Sequence, residues 1–474
     1  MSETYDITVI GSGPGGYRAA ILAALRGQRV AIVEKADWGG CCLNRGCVPK
    51  KAWHHSAQLL AAGDELAKRG LRGRLEADLA GAWDHQEGVV ATVQDSYINY
   101  MKRLGVSALT GHARLADART VRVADAHGSE QELKTEHVIL ATGSRPFLPE
   151  GVEPVSGRIL TTDMLFDERP PEGRRVAVIG SGVIGTEFAF ILHMLGCEVS
   201  WLTGSPPLSR TAFSRQALGT LKSALARHGV EPRTGARLAG AEVVTADGGE
   251  QEVAVRLDDG SEVRCDWLLL GTGRVPYTDG LGLETLGIEL DEGGFIARNA
   301  RLQTSAANVY AIGDCTSAQM TANQALADAT LAVGNIIDGA GREQDPAWVP
   351  EAVYSAVELA RIGLDDDTAE DEGYEPAVGF AAFETSPRAL GQSDTDGFVR
   401  LLGDMDSGEL LGGEIVGAEA AELIHLLSTA PDRATALQWL VRGRYNHPGR
   451  AEELLNAAET MASKWGLEEF LFGA

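Results

Sequence analysis

Three cysteines lie close together near the N-terminus, at positions 41, 42 and 47. Thiols at such spacing can bind a metal ion or cycle between a dithiol and a disulfide. A disulfide needs Cα atoms within about 7 Å, but side chains five residues apart in a regular helix point about 140° apart. A bond between Cys42 and Cys47 would therefore need an irregular backbone, which the wide φ range of Gly46 makes easy. A zinc site would need a second Cys or His pair with matching spacing, and none lies nearby in the sequence.

Two glycine-rich segments have the residues needed to bind the phosphates of dinucleotides. Each has the pattern G-x-G-x-x-G between a short apolar strand and a helix with apolar periodicity, which predicts a βαβ unit. The first glycine allows a tight turn, the second lets the backbone approach a pyrophosphate, and the third lets helix and strand pack closely. The N-terminus of the helix then faces the phosphates. These glycines are Gly11, Gly13 and Gly16 in the first segment and Gly180, Gly182 and Gly185 in the second.

The two segments differ at the end of the strand that follows each helix. Glu34 ends that strand in the first, where a carboxylate can hold a ribose 2′-hydroxyl. Thr203 ends it in the second, and Arg210 follows further along. Without a carboxylate a 2′-phosphate is not repelled, and Arg210 could pair with it. We therefore expect NADP there. The alternative is that Thr203 serves NAD and that Arg210 is an ordinary surface residue.

The remaining sequence must position these segments. A chain of 474 residues suits about three domains, and the repeated strand–helix–strand pattern indicates an internal duplication. We predict an α/β fold with two Rossmann-like dinucleotide-binding domains and a C-terminal α+β domain. The acidic segment 365–373 is expected to be a solvated connection. The predicted boundaries are 1–150 for the first domain, 151–274 for the second, 275–345 for a return to the first, and 346–474 for the C-terminal domain.

Composition excludes several classes of partner. The net charge of −25 repels nucleic acid and anionic membranes. No apolar run reaches the ~18 residues needed to span a bilayer, and the first residues do not have the pattern of a secretion signal. We therefore expect a cytoplasmic protein with no membrane or nucleic-acid partner. Three further cysteines, Cys197, Cys265 and Cys315, lie in apolar contexts and are expected to be inert core residues.

The cysteine segment fits a longer pattern, Gly39-Gly40-x-Cys42-x-Asn44-x-Gly46-Cys47-x-Pro49-x-Lys51. This resembles the active-site segment of the class I pyridine nucleotide–disulfide oxidoreductases, which include lipoamide dehydrogenase, glutathione reductase, mercuric reductase and trypanothione reductase. The resemblance covers the whole chain. Besides the two glycine patterns, it includes Ala141-Thr142-Gly143, Gly271-Thr272-Gly273-Arg274, Ala311-Ile312-Gly313-Asp314 and His447-Pro448.

The resemblance implies a redox-active disulfide and the roles of its neighbours. Cys42 matches the interchange cysteine that attacks the substrate disulfide, and Cys47 matches the cysteine that contacts the flavin. Lys51 matches a lysine near flavin N5, and Glu187 matches its carboxylate partner. The acid–base dyad contributed by the other subunit of a homodimer matches His447 and Glu452.

The same resemblance implies the cofactors. FAD would bind residues 1–150 and 275–345, NAD(P) would bind residues 151–274, and residues 346–474 would form the dimer. The expected FAD contacts are Gly11, Gly13, Gly16, Glu34, Lys51, Thr142, Gly143 and Asp314. The expected NADP contacts, with NAD as the alternative, are Gly180, Gly182, Gly185, Thr203, Arg210 and Gly273. No metal site is expected.

Positions related to the substrate point in two directions. Pro49-Lys50-Lys51 is similar to glutathione and trypanothione reductases, whereas Val183 is similar to lipoamide dehydrogenase. Glutathione reductases hold substrate carboxylates with arginines, and Ile21 and Ala329 stand at two of those positions. Tyr97 matches a substrate-contacting tyrosine, or is a buried structural one. Cys41 replaces a threonine of the family, either as a third redox thiol or as a small tolerated substitute.

These expectations combine into one function and two alternatives. We predict that NAD(P)H reduces FAD, that FAD reduces the Cys42–Cys47 disulfide, and that Cys42 then reduces a low-molecular-weight disulfide. One alternative is a dihydrolipoamide dehydrogenase that runs in the opposite direction and reduces NAD. The other is a catalytically idle FAD-binding redox sensor, against which the complete set of catalytic residues argues.

Overall fold

The computed structural model describes residues 4–169, 173–246, 248–343 and 345–466. Every helix within these ranges is too short or too polar to cross a membrane. The strands are β1 (Thr4–Ile10), β2 (Val30–Glu34), β3 (Ser107–Thr110), β4 (His112–Asp117), β5 (Thr120–Ala124), β6 (Glu130–Leu140), β7 (Ser144–Pro146), β8 (Ile159–Thr161), β9 (Arg175–Ile179), β10 (Glu198–Thr203), β11 (Pro232–Thr234), β12 (Leu238–Thr245), β13 (Gln251–Leu257), β14 (Glu262–Cys265), β15 (Trp267–Leu270), β16 (Arg274–Pro276), β17 (Val309–Ala311), β18 (Glu351–Tyr354), β19 (Glu358–Gly363), β20 (Pro376–Ala382), β21 (Phe398–Asp404) and β22 (Leu410–Val416). The α-helices are α1 (Pro14–Leu25), α2 (Gly40–Asn44), α3 (Cys47–Ala62), α4 (Leu79–Arg103), α5 (Thr162–Asp167), α6 (Val183–Met194), α7 (Arg215–Arg227), α8 (Ala322–Asp338), α9 (Asp366–Asp371), α10 (Pro387–Gln392), α11 (Ala420–Leu423), α12 (His425–Ser428), α13 (Arg433–Val441) and α14 (Glu452–Trp465).

The first of two compact units contains the first glycine pattern and the cysteine segment. It comprises Met1–Trp53, Ala80–Glu172 and Thr272–Pro346. Its main sheet has the order β3-β2-β1-β6-β5-β4, and β17 also pairs with β6. The pairs from β3 to β6 and the β6–β17 pair are parallel. The central strands are continuous apolar runs because both faces of a parallel sheet are covered, here partly by α1 and α8.

The second unit contains the second glycine pattern and the C-terminal domain. It comprises His54–Leu79, Gly173–Gly271 and Ala347–Ala474. Within it, β11, β10, β9 and β15 form parallel pairs, and β12, β13 and β14 form an antiparallel sheet. A five-stranded sheet with the order β18-β19-β22-β21-β20 follows. Helix α14 packs against β20 closely enough that a Cβ at Gly379 would lie 2.2 Å from the Ala457 carbonyl oxygen.

The acidic segment 365–373 is largely exposed, as expected of a solvated connection, but it also contains helix α9. The Asp365 side chain accepts a hydrogen bond from the Thr368 amide at 2.8 Å and so caps the helix. Asp366 and Asp367 lie in the first turn, where the helix dipole favours carboxylates. Ala369 is fully buried and anchors this short helix. A run of like charges is therefore compatible with a helix when it lies at the N-terminus.

Candidate active site

The two cysteines of the predicted redox pair lie in different helices. Helix α2 ends at Asn44, Arg45 has a non-helical φ of −135°, and Cys47 begins α3. The irregular backbone expected between the cysteines is therefore present. The expected role of Gly46 is wrong, because Gly46 is not among the residues with positive φ. A Cβ at this position would make a tight contact, 3.2 Å from the Cys41 carbonyl oxygen.

Cys42 and Cys47 are free thiols that hydrogen bond to each other. This hydrogen bond, together with burial, raises the pKa of Cys42 well above its ordinary value, while the positive charge of Lys51 opposes the rise. Lys51 lies on α3, one turn beyond Cys47. The reduced pair therefore holds its proton firmly, and its chemistry needs a base. No group of three or more potential metal ligands with suitable geometry occurs among the described residues.

Cys41 is held as a neutral thiol beside the redox pair. Burial is the largest cause that raises the pKa of Cys41 to about 12, and the charge of Arg274 only partly opposes it. The Cys41 thiol donates to Asp163 Oδ1 at 3.7 Å, and the same oxygen accepts from Arg274 Nη1 at 3.0 Å. This environment disfavours the thiolate that a third redox cysteine would need.

Two tyrosines form an aromatic pair near Cys42. The rings of Tyr17 and Tyr97 lie 4.5 Å apart between centroids, and their hydroxyl oxygens are 3.4 Å apart. Burial, the hydrogen bond with Tyr97 and the proximity of Cys42 all raise the pKa of Tyr17. Ile21 and Ala329, which replace the arginines of glutathione reductases, are both buried. Tyr97 is half-buried, so it is not the fully buried structural residue that was one of its two interpretations.

In the loop formed by the first glycine pattern, the middle glycine has free space around it, whereas the other two are packed against backbone. A Cβ at Gly11 would lie 2.3 Å from the Ala141 carbonyl oxygen, and one at Gly16 would lie 1.9 Å from the Gly11 carbonyl oxygen. A Cβ at Gly13 would meet nothing within 4 Å. Gly11 thus allows the tight turn, Gly13 leaves space for a pyrophosphate, and Gly16 allows the helix to pack closely. Pyrophosphate binding requires this division of roles. The residues present fit the phosphates of a dinucleotide at the N-terminus of α1.

Glu34 links this loop to the cysteine segment. Its Oε2 accepts hydrogen bonds from the Ser12 amide at 2.9 Å and from Ser12 Oγ at 2.7 Å. Its Oε1 accepts from the Ala36 amide at 3.0 Å. Ser12 Oγ in turn accepts from the Gly39 amide at 3.0 Å. The carboxylate is therefore fixed at the end of β2, next to the phosphate loop.

The second glycine pattern repeats this geometry. Cβ atoms at Gly180 and Gly185 would lie 2.2 Å from the carbonyl oxygens of Gly271 and Gly180, respectively, and one at Gly182 would meet nothing within 4 Å. Thr203 is buried at the end of β10, with its hydroxyl oxygen 3.5 Å from that of Thr234. Arg210 is exposed. This loop fits a second dinucleotide on the same physical grounds as the first.

Asp314 is supported by a network that includes Ser144 and Asp328, two residues that the sequence analysis did not name. Its Oδ2 accepts from Ser144 Oγ at 2.6 Å, and Arg274 Nη2 donates to the Ser144 carbonyl oxygen at 2.9 Å. The neighbouring Gly313 amide donates to the buried Asp328 at 2.9 Å. Asp328 lies on α8, about two turns after the N-cap residue Thr321. Only the fold brings it beside Gly313.

Three other predicted contacts with FAD or the nicotinamide, Thr142, Gly143 and Gly273, lie in turns between strands. Thr142 Oγ1 donates to the Tyr277 carbonyl oxygen at 2.6 Å, and the Tyr277 amide donates to the Gly143 carbonyl oxygen at 2.9 Å. Gly143 and Gly273 have φ values of 72° and 102°, which favour glycine. Their contacts with cofactors stay predictions.

His447 and Glu452 form the expected dyad within the second unit. His447 Nδ1 lies 2.9 Å from Glu452 Oε1, and the Gly449 amide donates to Oε2 at 2.8 Å. These hydrogen bonds lower the pKa of Glu452, with that from His447 as the largest cause. Glu187 belongs to the same unit; it is buried and accepts from the Tyr354 amide at 2.8 Å. Its pairing with Lys51 stays a prediction.

Cys197, Cys265 and Cys315 are all buried, as expected for inert core residues. Burial raises the pKa of Cys197 and of Cys265 to about 11. These three thiols therefore lack the electropositive, accessible surroundings of reactive cysteines.

Comparison with known proteins extends the resemblance over the chain. Residues 5–329 match the family model described as pyridine nucleotide-disulphide oxidoreductase, and residues 349–458 match its dimerisation domain. A dihydrolipoyl dehydrogenase of Thermus scotoductus is 35% identical over 97% of this chain and 98% of that protein. One of Haloferax volcanii is 33% identical over 96% of this chain and 95% of that protein.

Solved structures agree with the fold. LpdA from Mycobacterium tuberculosis has a TM-score of 0.88 and 26% identity, covering 96% of this chain and 99% of that one. The flavoprotein disulfide reductase RclA from Escherichia coli has a TM-score of 0.80 at 24% identity over 96% and 99% of the two chains, which shows the fold alone. The match to the family model over residues 5–329 and the relatives more than 30% identical over nearly the whole chain show that it belongs to the FAD-dependent pyridine nucleotide–disulfide oxidoreductase family.

Proposed function

We propose that the protein exchanges electrons between a nicotinamide dinucleotide and an uncharged dithiol of the dihydrolipoamide type. The observation that carries this proposal is the hydrogen-bonded Cys42–Cys47 pair with the Tyr17–Tyr97 pair beside it. The relatives named dihydrolipoyl dehydrogenase favour this substrate over the small peptide disulfides that the Pro49-Lys50-Lys51 segment suggested.

The surroundings of Cys42 support an apolar substrate. The rings of Tyr17 and Tyr97, which are tilted by 34° to each other, offer aromatic surface to an aliphatic chain. A glutathione-like disulfide carries carboxylates, and burying these without cationic partners is unfavourable. Ile21 and Ala329 are apolar where glutathione reductases have arginines, so these positions cannot supply such partners.

The thiol chemistry balances with the two cysteines alone. In the oxidised enzyme, a substrate thiolate attacks Cys42 Sγ, the Cys42–Cys47 bond breaks, and Cys47 leaves as a thiolate. The second substrate thiolate then attacks the mixed disulfide, which releases the cyclic disulfide product and leaves Cys42 reduced. Two electrons from the dithiol now reside on Cys42 and Cys47. From there, a flavin held by the first unit would supply the chemistry that links this electron pair to hydride transfer with the nicotinamide.

Each thiol must lose a proton before it attacks, and His447 is the proposed base. Glu452 holds Nδ1, which leaves Nε2 as the nitrogen that can take a proton. We propose that His447 serves Cys42 of the partner subunit, because the chain carries the dimerisation domain of the family. Lys51 aids the same step, since its charge favours the thiolate form of Cys42.

FAD is assigned to the first unit and the nicotinamide to the second. Glu34 and the loop at Gly13 suit the adenosine ribose and pyrophosphate of FAD, and Asp314 would hold the ribityl side. The nicotinamide dinucleotide would lie at the loop containing Gly182. The absence of a carboxylate at Thr203, with Arg210 nearby in sequence, favours NADP.

This cofactor preference supports a second candidate function, the reverse flow. An NADPH-dependent enzyme would reduce the cyclic disulfide through the same cysteines. The sequence-based prediction of a low-molecular-weight disulfide reductase corresponds to this reverse flow, whereas the relatives named dihydrolipoyl dehydrogenase favour its alternative.

The test is a substrate comparison with purified holoenzyme in both directions. Dihydrolipoamide is assayed with NAD⁺ or NADP⁺, and lipoamide or glutathione disulfide with NADH or NADPH. We expect turnover of the lipoamide pair, with kcat/KM for glutathione disulfide lower by about tenfold or more, because unpaired buried carboxylates cost over about 1.4 kcal/mol.

Tyr97→Leu should raise KM for lipoamide by about two- to tenfold relative to Tyr97→Phe, which keeps the ring. Equal use of glutathione disulfide would refute the substrate assignment, and no turnover of any pair would favour the idle sensor.

A further inference from the structure

In each unit, the serine of the glycine loop meets the end of the following strand, and we call this place the ribose corner. The two ribose corners, at Ser12 and Glu34 and at Ser181 and Ser205, differ in charge. In the first unit, Ser12 hydrogen bonds to the carboxylate of Glu34. The matching serine of the second unit, Ser181, lies 2.9 Å from the hydroxyl of Ser205. The loop after β10 folds back on the glycine loop there, because the Leu208 amide donates to the Ser181 carbonyl oxygen at 2.7 Å. A neutral hydroxyl pair therefore stands where the first unit has an anion.

An arginine from a separate part of the sequence lies at this corner. Gly204 is the first residue after β10, and a Cβ there would lie 3.2 Å from Arg237 Cγ and 3.8 Å from Arg237 Nε. The fold explains this proximity. Strands β10 and β11 are parallel neighbours with Thr203 opposite Thr234, so their C-terminal ends meet at the same edge. Arg237 follows β11 after a turn at Gly235, and it reaches Gly204 because glycine has no side chain in the way.

The charge of Arg237 is available to a ligand. Arg233, on β11 itself, contacts Asp259 at 3.1 Å and Ser261 at 2.7 Å. Neither Arg237 nor Arg210 makes an ion pair with another described residue, and both are exposed. In dinucleotide-binding folds of this kind, a carboxylate at this corner selects the 2′-hydroxyl of NAD, whereas an arginine accommodates the 2′-phosphate of NADP.

We propose that Arg237 is a specificity-determining residue that binds the 2′-phosphate of NADP(H), together with Arg210 and the hydroxyls of Ser181 and Ser205. The proposal rests on the proposed function only in requiring a nicotinamide dinucleotide at the second glycine loop. The guanidinium supplies a charge-assisted, planar contact to phosphate that a lysine at the same place would supply less well. The specificity thus comes from the β11–β12 connection as well as from the loop after β10.

The experiment measures binding of nucleotide fragments and needs no turnover. Isothermal titration calorimetry of the FAD-loaded enzyme compares 2′,5′-ADP with 5′-AMP, which lacks only the 2′-phosphate. We expect tighter binding of 2′,5′-ADP by the unmodified protein. Arg237→Ala should weaken binding of 2′,5′-ADP by about ten- to a hundredfold, the usual effect of losing a hydrogen bond to a charged group, and should leave binding of 5′-AMP unchanged. Arg237→Lys should keep part of the affinity.

Arg233→Ala is the matched control, because it removes an exposed arginine from the adjoining strand that is already paired with Asp259. It should not alter the preference between the two fragments. The proposal is overturned if the unmodified protein binds both fragments equally or binds neither, or if Arg237→Ala behaves like Arg233→Ala. Unchanged FAD content and melting temperature verify that each variant is folded. Because no dithiol is present, failure of the lipoamide assay would count only against the proposed function.

Discussion

Replacing Asp328 should weaken both the stability of the first unit and its hold on FAD. Asp328 is fully buried on α8. Its Oδ2 accepts from Arg298 Nη1 at 2.7 Å and from the Gly313 amide at 2.9 Å, and its Oδ1 accepts from Gln324 Nε2 at 2.7 Å. It thereby fixes the backbone beside Asp314, the residue expected to hold the ribityl side of FAD. A change at Asp328 should reach the cofactor without touching it.

The size of the effect follows from burial. Removing one partner of a buried ion pair leaves an uncompensated charge and costs about 3–5 kcal/mol. The Arg298 side chain is only 15% exposed, so water cannot readily replace the lost carboxylate. In a unit of this size each kcal/mol lowers the melting temperature by about 2–4 °C, so Asp328→Ala should lower it by about 6–20 °C. Asp328→Asn keeps the shape and one acceptor, and should have a smaller effect.

The assay follows unfolding of the holoenzyme by tryptophan fluorescence and release of FAD by flavin fluorescence during the same heating scan. The FAD-to-protein ratio after gel filtration gives a second measure. Asp338→Ala is the control. Asp338 lies on α8, as Asp328 does, but it is exposed and pairs with the exposed Arg26. Its loss should leave the melting temperature nearly unchanged. If Asp328→Ala melts like Asp338→Ala and retains all its FAD, the assigned role of this buried network is incorrect.

Two further predictions concern the His447–Glu452 dyad. Because hydrogen bonds lower the pKa of Glu452 below its ordinary 4.5, its contribution to stability is complete above pH 4.5 and is lost as the pH falls through the lowered value. Glu452→Gln should therefore flatten the curve of melting temperature against pH below 4.5, and an unchanged curve would contradict this linkage. If His447 serves the Cys42 of the partner subunit, mixing inactive Cys42→Ser and His447→Ala proteins should restore activity, since each mixed dimer contains one intact site. Absence of recovery after demonstrated subunit exchange would place the base in the same chain.

The sequence predicted those parts of the site that a single continuous motif determines. The spacing of Gly11, Gly13 and Gly16 fixes which position closes a turn and which stays open, because all three belong to one strand–turn–helix unit. The irregular backbone between Cys42 and Cys47 was also predictable, because both cysteines belong to one short continuous segment. The conformation of Gly46 was not, because its φ is not positive and the tight contact that a Cβ would make with the Cys41 carbonyl oxygen appears only in the folded backbone.

Contacts between distant segments carry no such local signal. Arg237 reaches Gly204 only because β11 pairs with β10 in one register, with Thr234 opposite Thr203, and because Gly204 has no side chain. Neither condition belongs to the glycine pattern, and the sequence therefore suggested Arg210 alone. The duplicated fold makes the difference interpretable, since Glu34 shows what the same corner contains when a 2′-hydroxyl is expected. The glycine loops of the two units share their backbone geometry, whereas the groups that contact Ser12 and Ser181 differ in charge.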